Sequence, residues 1–349
     1  MSGNFSIVEG EYLRDILDQP RALDSTLSRL EASKELRQLA SRLQEGSFKS
    51  IVLTGMGSSF HALHPLYLEL IQAGFHSVMV ESSELIHYQA GLFDRKNLIV
   101  AVSQSGRSAE VVRLLKSNRG RSAIIGVTNT PGSPLAKNAA ASVVTDAGEE
   151  FSVSCKTYLA SLLALRWLAE AICGRDLARI RRDLKSASAG AAEYLASWKT
   201  NVQQLGERLS QVRRLFLVGR GSSLAAVGTG ALIVKEADHF PAEGMSSAAF
   251  RHGPFEMVGN DTFVGVFAGE TKTRELNRGL FHDTREREGA SEWIGEDSDF
   301  APCILPNSPR SVIPILEILP VQMITLALAA LFGREAGRFT FCSKVTTKE

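Results

Sequence analysis

Residues 103–110 read SQSGRSAE and interrupt an otherwise apolar run, NLIVAVSQSGRSAEVVRLL. Serine hydroxyls and a glutamine amide donate and accept hydrogen bonds, which is the chemistry an anionic oxygen requires. The residues before them, 98–102, are short and apolar, as in a strand buried on both faces. AEVVRLLKSN after them has the period of an amphipathic helix. The serines therefore belong to a strand-to-helix loop. In an open parallel α/β sheet that loop lies at the carboxyl edge of the strands, where ligands bind, and the helix N-terminus behind it favours an anion. Capping the helix needs one hydroxyl, from Ser103, Ser105 or Ser108. Ser103, Gln104, Ser105 and Ser108 together exceed that need and point to a phosphate cradle. A second hydroxyl-rich turn, ending in Ser58 and Ser59, closes KSIVLTGMGSS, and the two loops can converge over one phosphate.

The elements that must position these groups alternate regularly. Residues 9–45 are helical in pattern, with a break at Pro20. Strands are then expected at 50–53, 77–81, 98–102, 123–128 and 142–144, with helices between them, which predicts a parallel sheet covered on both faces. A long helical stretch over 155–209 precedes RRLFLVGRGSSLAAV, which restarts the pattern of IVLTGMGSSFHAL. Further strands are expected at 262–268, 291–294 and 303–305, closed by an apolar helix from about Ser311. The expected architecture is α/β, with two tandem domains, each a doubly wound, flavodoxin-like parallel sheet flanked by helices. Neither Gly-x-Gly-Ser-Ser turn carries the third glycine of a dinucleotide fingerprint, and no Walker A loop is present. The loop FAGETKTREL in the second half brings Glu270, so the phosphate is expected in the first half only.

Composition narrows the class. Lys and Arg number 39 against 38 Asp and Glu, which argues against nucleic acid or an acidic membrane as partner. Cys155, Cys173, Cys303 and Cys342 are scattered without metal-ligand spacing, so neither a disulfide nor a metal site is expected and a cytoplasmic location fits. VIPILEILPVQMITLALAALFG carries Glu317, Pro320 and Gln322 and reads as a buried helix.

GMGSSF and SQSGRSAE in the first half, with VKEADHFPAEGMSSAAFRHGP in the second, resemble the sugar isomerase (SIS) family: the isomerase half of glucosamine-6-phosphate synthases, amino-sugar-phosphate deaminases and fructosamine-6-phosphate deglycases. DILDQPRAL and the closing CSKVTTKE extend the likeness over nearly the whole chain. The resemblance implies a helical lead-in over 1–34, a phosphosugar-binding SIS domain over 35–172, a helical linker over 173–208, a second SIS domain over 209–335 and an active-site tail over 336–349. It also implies that Ser59, Ser103, Gln104, Ser105 and Ser108 hold the phosphate and that Ser58 lies near the sugar hydroxyls. Glu236 falls on the catalytic carboxylate, His252 on a ring-opening histidine supplied by the neighbouring subunit, and Lys344 on the carbonyl-reactive lysine. A homodimer, or a higher assembly, with shared active sites follows. No cofactor is implied, and Met1, Ser2 and Gly3 offer no cysteine nucleophile of a glutamine-hydrolysing domain.

Two departures matter. Where the synthase helix carries a further glutamate and lysine, this chain has Thr229 and Ile233, so the cleft beside Glu236 is expected to be less polar and roomier. That suits a sugar whose first carbon bears a substituted amine. The expected function is enolisation of an amino-sugar phosphate by proton transfer between C1 and C2, as a fructosamine-6-phosphate deglycase. Glucosamine-6-phosphate deaminase, ketose–aldose isomerase and a non-catalytic phosphosugar-binding regulator are the alternatives. A glutamate on a mostly apolar helix is a suitable base, though from that segment alone Glu236 reads sooner as an exposed helix carboxylate paired with Lys235 or a neighbour. His252 precedes Gly253 and Pro254, a turn from which an imidazole can project. His61, His64, His76, His87, His239 and His282 have no comparable setting and are expected to be structural.

Overall fold

A computed structural model describes residues 5–287, 289–341 and 343–347. The chain forms two compact units, each discontinuous in sequence. One comprises Arg21–Glu149, Lys156–Ser186 and Cys342–Glu349; the other comprises Met1–Pro20, Glu150–Cys155 and Ala187–Phe341. The helical lead-in is therefore divided at Pro20, and the C-terminal tail is divided between units, instead of following the continuous boundaries expected from the sequence.

The first unit is built on strands β1 (Ser50–Gly55), β2 (Ser77–Glu81), β3 (Asn97–Val102), β4 (Ala123–Thr128) and β5 (Ala141–Val144). All pair in parallel in the order β2-β1-β3-β4-β5. Every residue of β1 and of β3 is buried, as their apolar stretches IVL and LIVAV require. On one face Val52, Ile99 and Ala101 pack with Leu114 and Leu135 from the intervening helices. Each of the larger ones, Val52, Ile99, Leu114 and Leu135, contributes about 1.5–3 kcal/mol by leaving water.

The second unit repeats the plan with β6 (Arg214–Gly219), β7 (Ala242–Ser246), β8 (Thr262–Phe267) and β9 (Ala290–Ile294), parallel in the order β7-β6-β8-β9. The strand expected at 303–305 is not formed: Ala301–Cys303 is a 3-10 turn, and only a single bridge, Gly295 to Ile304, extends the pairing. Pro302 within that turn fixes the backbone away from a ladder. β7 was not expected, because AEGMS lacks β-branched and aromatic residues. It forms because Gly244 lets the strand approach the helix Leu224–Asp238, where a Cβ would lie 2.4 Å from the Val227 carbonyl oxygen. The segment Ile313–Phe332 is long and apolar enough to cross a membrane by composition, with mean hydropathy 2.1, yet 83% of its most apolar 18-residue window is buried inside the protein. It forms two helices, Ile313–Leu316 and Leu319–Phe332, the latter packed on Trp198–Leu209 and Leu224–Asp238.

Candidate functional site

The β3-to-helix loop of the first unit separates the roles of its serines. Ser108 is the N-cap of Ala109–Asn118 and accepts from the Val111 amide at 3.5 Å. Ser103 Oγ accepts from Gly106 N at 3.1 Å and Ser105 Oγ from Arg107 N at 3.3 Å, which leaves both O–H groups able to donate. The loop backbone is tied to its neighbours: Gln104 O accepts from Asn129 N at 3.0 Å and Gly106 O from Leu135 N at 3.0 Å. Gly106 has φ +59°, and a Cβ there would stand 2.2 Å from Ser133 Oγ, so only glycine fits this turn. Ser58 and Ser59 lie on the short helix Gly57–His61 after β1, half-buried. Strands β1 and β3 are neighbours with β2 beyond β1, so these two loops flank the point where the strand order reverses, the usual ligand crevice of such a sheet. Among the described residues the Ser58, Ser59 and Gln104 side chains have no hydrogen-bond partner in the protein. Capping explains Ser108 alone.

The C-terminal tail returns to this loop. The Thr346 carbonyl accepts from Ala109 N at 3.1 Å, on the first turn of the helix that Ser108 caps. Lys344, two residues earlier, is half-buried, and Ser343 Oγ donates to Val345 O at 2.8 Å. The tail thus belongs to the same compact unit as the hydroxyl-rich loops. Cys342 lies outside the described residues, while Cys155, Cys173 and Cys303 are in no disulfide among the described residues.

Glu236 and His252 belong to the second unit. Glu236 is half-buried near the end of Leu224–Asp238, one residue after an exposed Lys235. His252 is exposed on the turn after Ser247–Arg251, with its amide donating to Ala249 O at 2.9 Å. Thr229 and Ile233 lie on the same stripe of the helix as Glu236, at steps of four and three residues. Both are 0% exposed, and the Thr229 hydroxyl has no partner. The roomier cleft expected from these two replacements is not seen within this unit: the helix packs against β7 and Leu319–Phe332 and closes over both side chains. Their lack of charge remains.

Two buried carboxyls escaped the sequence reading as candidates. Asp238 is 2% exposed with neither carboxylate oxygen hydrogen-bonded among the described residues, and burial pushes its pKa well above the usual carboxylate range despite Arg334. Glu317 accepts from Ser223 Oγ at 2.6 Å, its other oxygen has no partner, and burial pushes it up to about 8. Ser223 occupies in the second Gly-x-Gly-Ser-Ser turn the place that Ser59 holds in the first. Its hydroxyl is committed to an internal carboxyl, whereas that of Ser59 is not. The signal for Glu317 was visible as a lone acid in an apolar run; its pairing with Ser223 was not.

A raised folded-state value means that Glu317 keeps its proton after the unfolded chain has lost its own, so the associated stability is fully present below about pH 4.5 and is lost as pH rises through about 8. Glu317→Gln keeps an acceptor for Ser223 and removes this titration. Its melting temperature is expected to exceed that of the parent protein at pH 8–9 by the equivalent of a few kcal/mol, with a smaller difference near pH 4. A pH-independent difference in scanning calorimetry would contradict the assignment.

The description "SIS domain" matches residues 47–171. Glutamine–fructose-6-phosphate aminotransferase [isomerizing] of Pyrococcus horikoshii is 29% identical over 352 residues, which cover 97% of this chain and 57% of that protein. The chain therefore spans little more than half the length of that relative. Among solved structures, the C-terminal domain of glucosamine-fructose-6-phosphate aminotransferase from Francisella tularensis superposes with a TM-score of 0.83 at 21% identity, covering 95% of this chain and 98% of that one. Glucosamine-6-phosphate deaminase from Thermotoga maritima gives 0.79 at 18% identity, covering 97% and 100%. These likenesses show a shared fold along nearly the whole chain. Residues 47–171 thus match the SIS domain, and the rest of the chain shares the fold of these proteins.

Proposed function

We propose that the chain is an enzyme that processes a phosphorylated amino sugar by moving a proton between C1 and C2, and that its substrate is a fructosamine 6-phosphate. The observation that carries the reading is the pair of loops after β1 and β3, where Ser58, Ser59 and Gln104 have no internal partner and Ser103 and Ser105 keep a donor each. Glu236 removes a proton from C1 of the open-chain 6-phosphofructosyl amine, giving an enaminol. Protonation at C2 gives an imine at C1, and water adds to it to release the amine and glucose 6-phosphate. His252 opens the ring and carries protons to oxygen or to the leaving nitrogen; its exposure suits a group offered to the site of a second subunit in a homodimer. Buried, uncharged Thr229 and Ile233 place no charged contact where a synthase has two. The second parallel sheet is read as a second SIS domain, and a cytoplasmic location is proposed.

The deciding experiment incubates the pure protein with hexose 6-phosphates, glucosamine 6-phosphate and fructosamine 6-phosphates and follows glucose 6-phosphate release. Release from fructosamine phosphates supports the reading. Activity confined to glucosamine 6-phosphate, or to ketose–aldose exchange, replaces the substrate; binding without turnover of any of them makes the protein a sensor.

Lys344 is proposed to form a Schiff base with the open-chain ketose, since a lysine amine on the tail that meets the phosphate-loop helix can reach a carbonyl held there. Borohydride added during turnover is expected to raise the mass of the C-terminal peptide by the reduced sugar phosphate. An unchanged mass would leave Lys344 a hydrogen-bonding role only.

A further inference from the structure

The edge of the first sheet opposite the serine loops carries a cavity of about 630 Å³. Three arginines reach it from separate segments: Arg42 from the last turn of Lys34–Gln44, Arg95 from the turn before β3, and Arg121 from the turn before β4. No acidic residue lines it, and none of the three arginines is ion-paired among the described residues. Two of the guanidinium groups are held in place without being neutralised. Arg42 lies over the Phe48 ring at 4.7 Å and Arg121 over Phe93 at 5.6 Å. Arg121 also donates from Nε to Asn118 O at 3.3 Å and from Nη2 to Ser117 O at 2.9 Å, closing the end of the helix. The turn that presents it is stiff, because Asn118 and Ser122 exchange hydrogen bonds at 2.9 Å in both directions. Arg95 is exposed and, among the described residues, has no hydrogen-bond, ion-pair or ring partner. Leu115 and Ile124 supply an apolar wall.

Fixed positive charge with no internal counter-charge is what a multiply charged anion selects, and guanidinium groups match phosphate oxygens in pairs. Structural arginines at helix ends are ordinarily solvated one at a time. Here three share one hollow, and Glu35 lines a separate, adjoining hollow that shares Arg42 and Ala140 with it. We propose that this cavity binds a small molecule bearing at least two negative charges on phosphate, at a site separate from the sugar-phosphate loops. The volume exceeds what one phosphate fills and leaves room for an organic body against Leu115 and Ile124.

The test uses the full chain and pyrophosphate as probe. In a Ser103→Ala/Ser105→Ala background, which weakens the serine loop, titration calorimetry is expected to show one equivalent of pyrophosphate bound with an affinity that falls as salt is raised. Adding Arg42→Gln and Arg95→Gln should weaken this binding about tenfold or more. Arg95→Gln alone, at an exposed side chain with no internal partner, should leave the circular dichroism unchanged and still weaken binding several-fold. Absence of pyrophosphate binding in the background variant, or affinity unaffected by the arginine changes, would overturn the site. Neither result depends on which sugar phosphate the protein processes.

Discussion

Glu236→Gln is expected to lower turnover of fructosamine 6-phosphates by about 10²- to 10⁴-fold, the range lost when a positioned base is removed. Glutamine keeps the size and hydrogen-bonding reach of the side chain and cannot take a proton from carbon. Affinity for hexose 6-phosphates should stay near that of the parent protein, because the hydroxyl-rich loops belong to the other compact unit. The loss should therefore fall on kcat, with KM little changed. Steady-state kinetics on purified protein checks this. Near-normal turnover would remove Glu236 from the chemistry and leave the fold assignment intact.

Replacing Ser103 and Ser105 together by alanine should weaken glucose 6-phosphate binding by about 10²-fold or more, since hydrogen bonds to a charged group contribute about 1.5–3 kcal/mol each. The effect on stability should be modest but not zero. Both residues are nearly enclosed, at 8% and 7% exposure, and each hydroxyl accepts an amide proton of the loop. Ser108→Ala supplies the contrast. As the N-cap of Ala109–Asn118 it should cost about 0.5–2 kcal/mol of stability, a change visible in the melting temperature. Calorimetric titration with glucose 6-phosphate and thermal unfolding separate the two effects. An affinity unchanged in the double variant would remove the phosphate from this loop.

Much of this arrangement was legible in the residues. The five strands of the first sheet were readable because each is a short, mostly apolar run; the central β1 and β3 are buried on both faces, and the edge strands β2 and β5 only in part. The repeated Gly-x-Gly-Ser-Ser turns announced two sheets of related plan. SQSGRSAE announced its own loop, since the change from a continuous apolar run to a 3.6-residue period is a local property. The lone acid at Glu317 was also plain in its apolar surroundings.

Tertiary structure decided what depends on distant neighbours. β7 is a strand because of β6 beside it and the Val227 carbonyl beneath Gly244, not because of any preference in AEGMS. Which serine caps the helix, and which ones keep a free donor, follows from the backbone path around Gly106, where Ser133 leaves no space for a side chain. Thr229 and Ile233 marked a departure in chemistry, yet their burial came from the helices and strand packed over them. The same holds for charge. Glu317 retains its proton near neutrality because residues far away in sequence exclude water from it, and desolvation is a property of the assembled interior that no local run of residues contains.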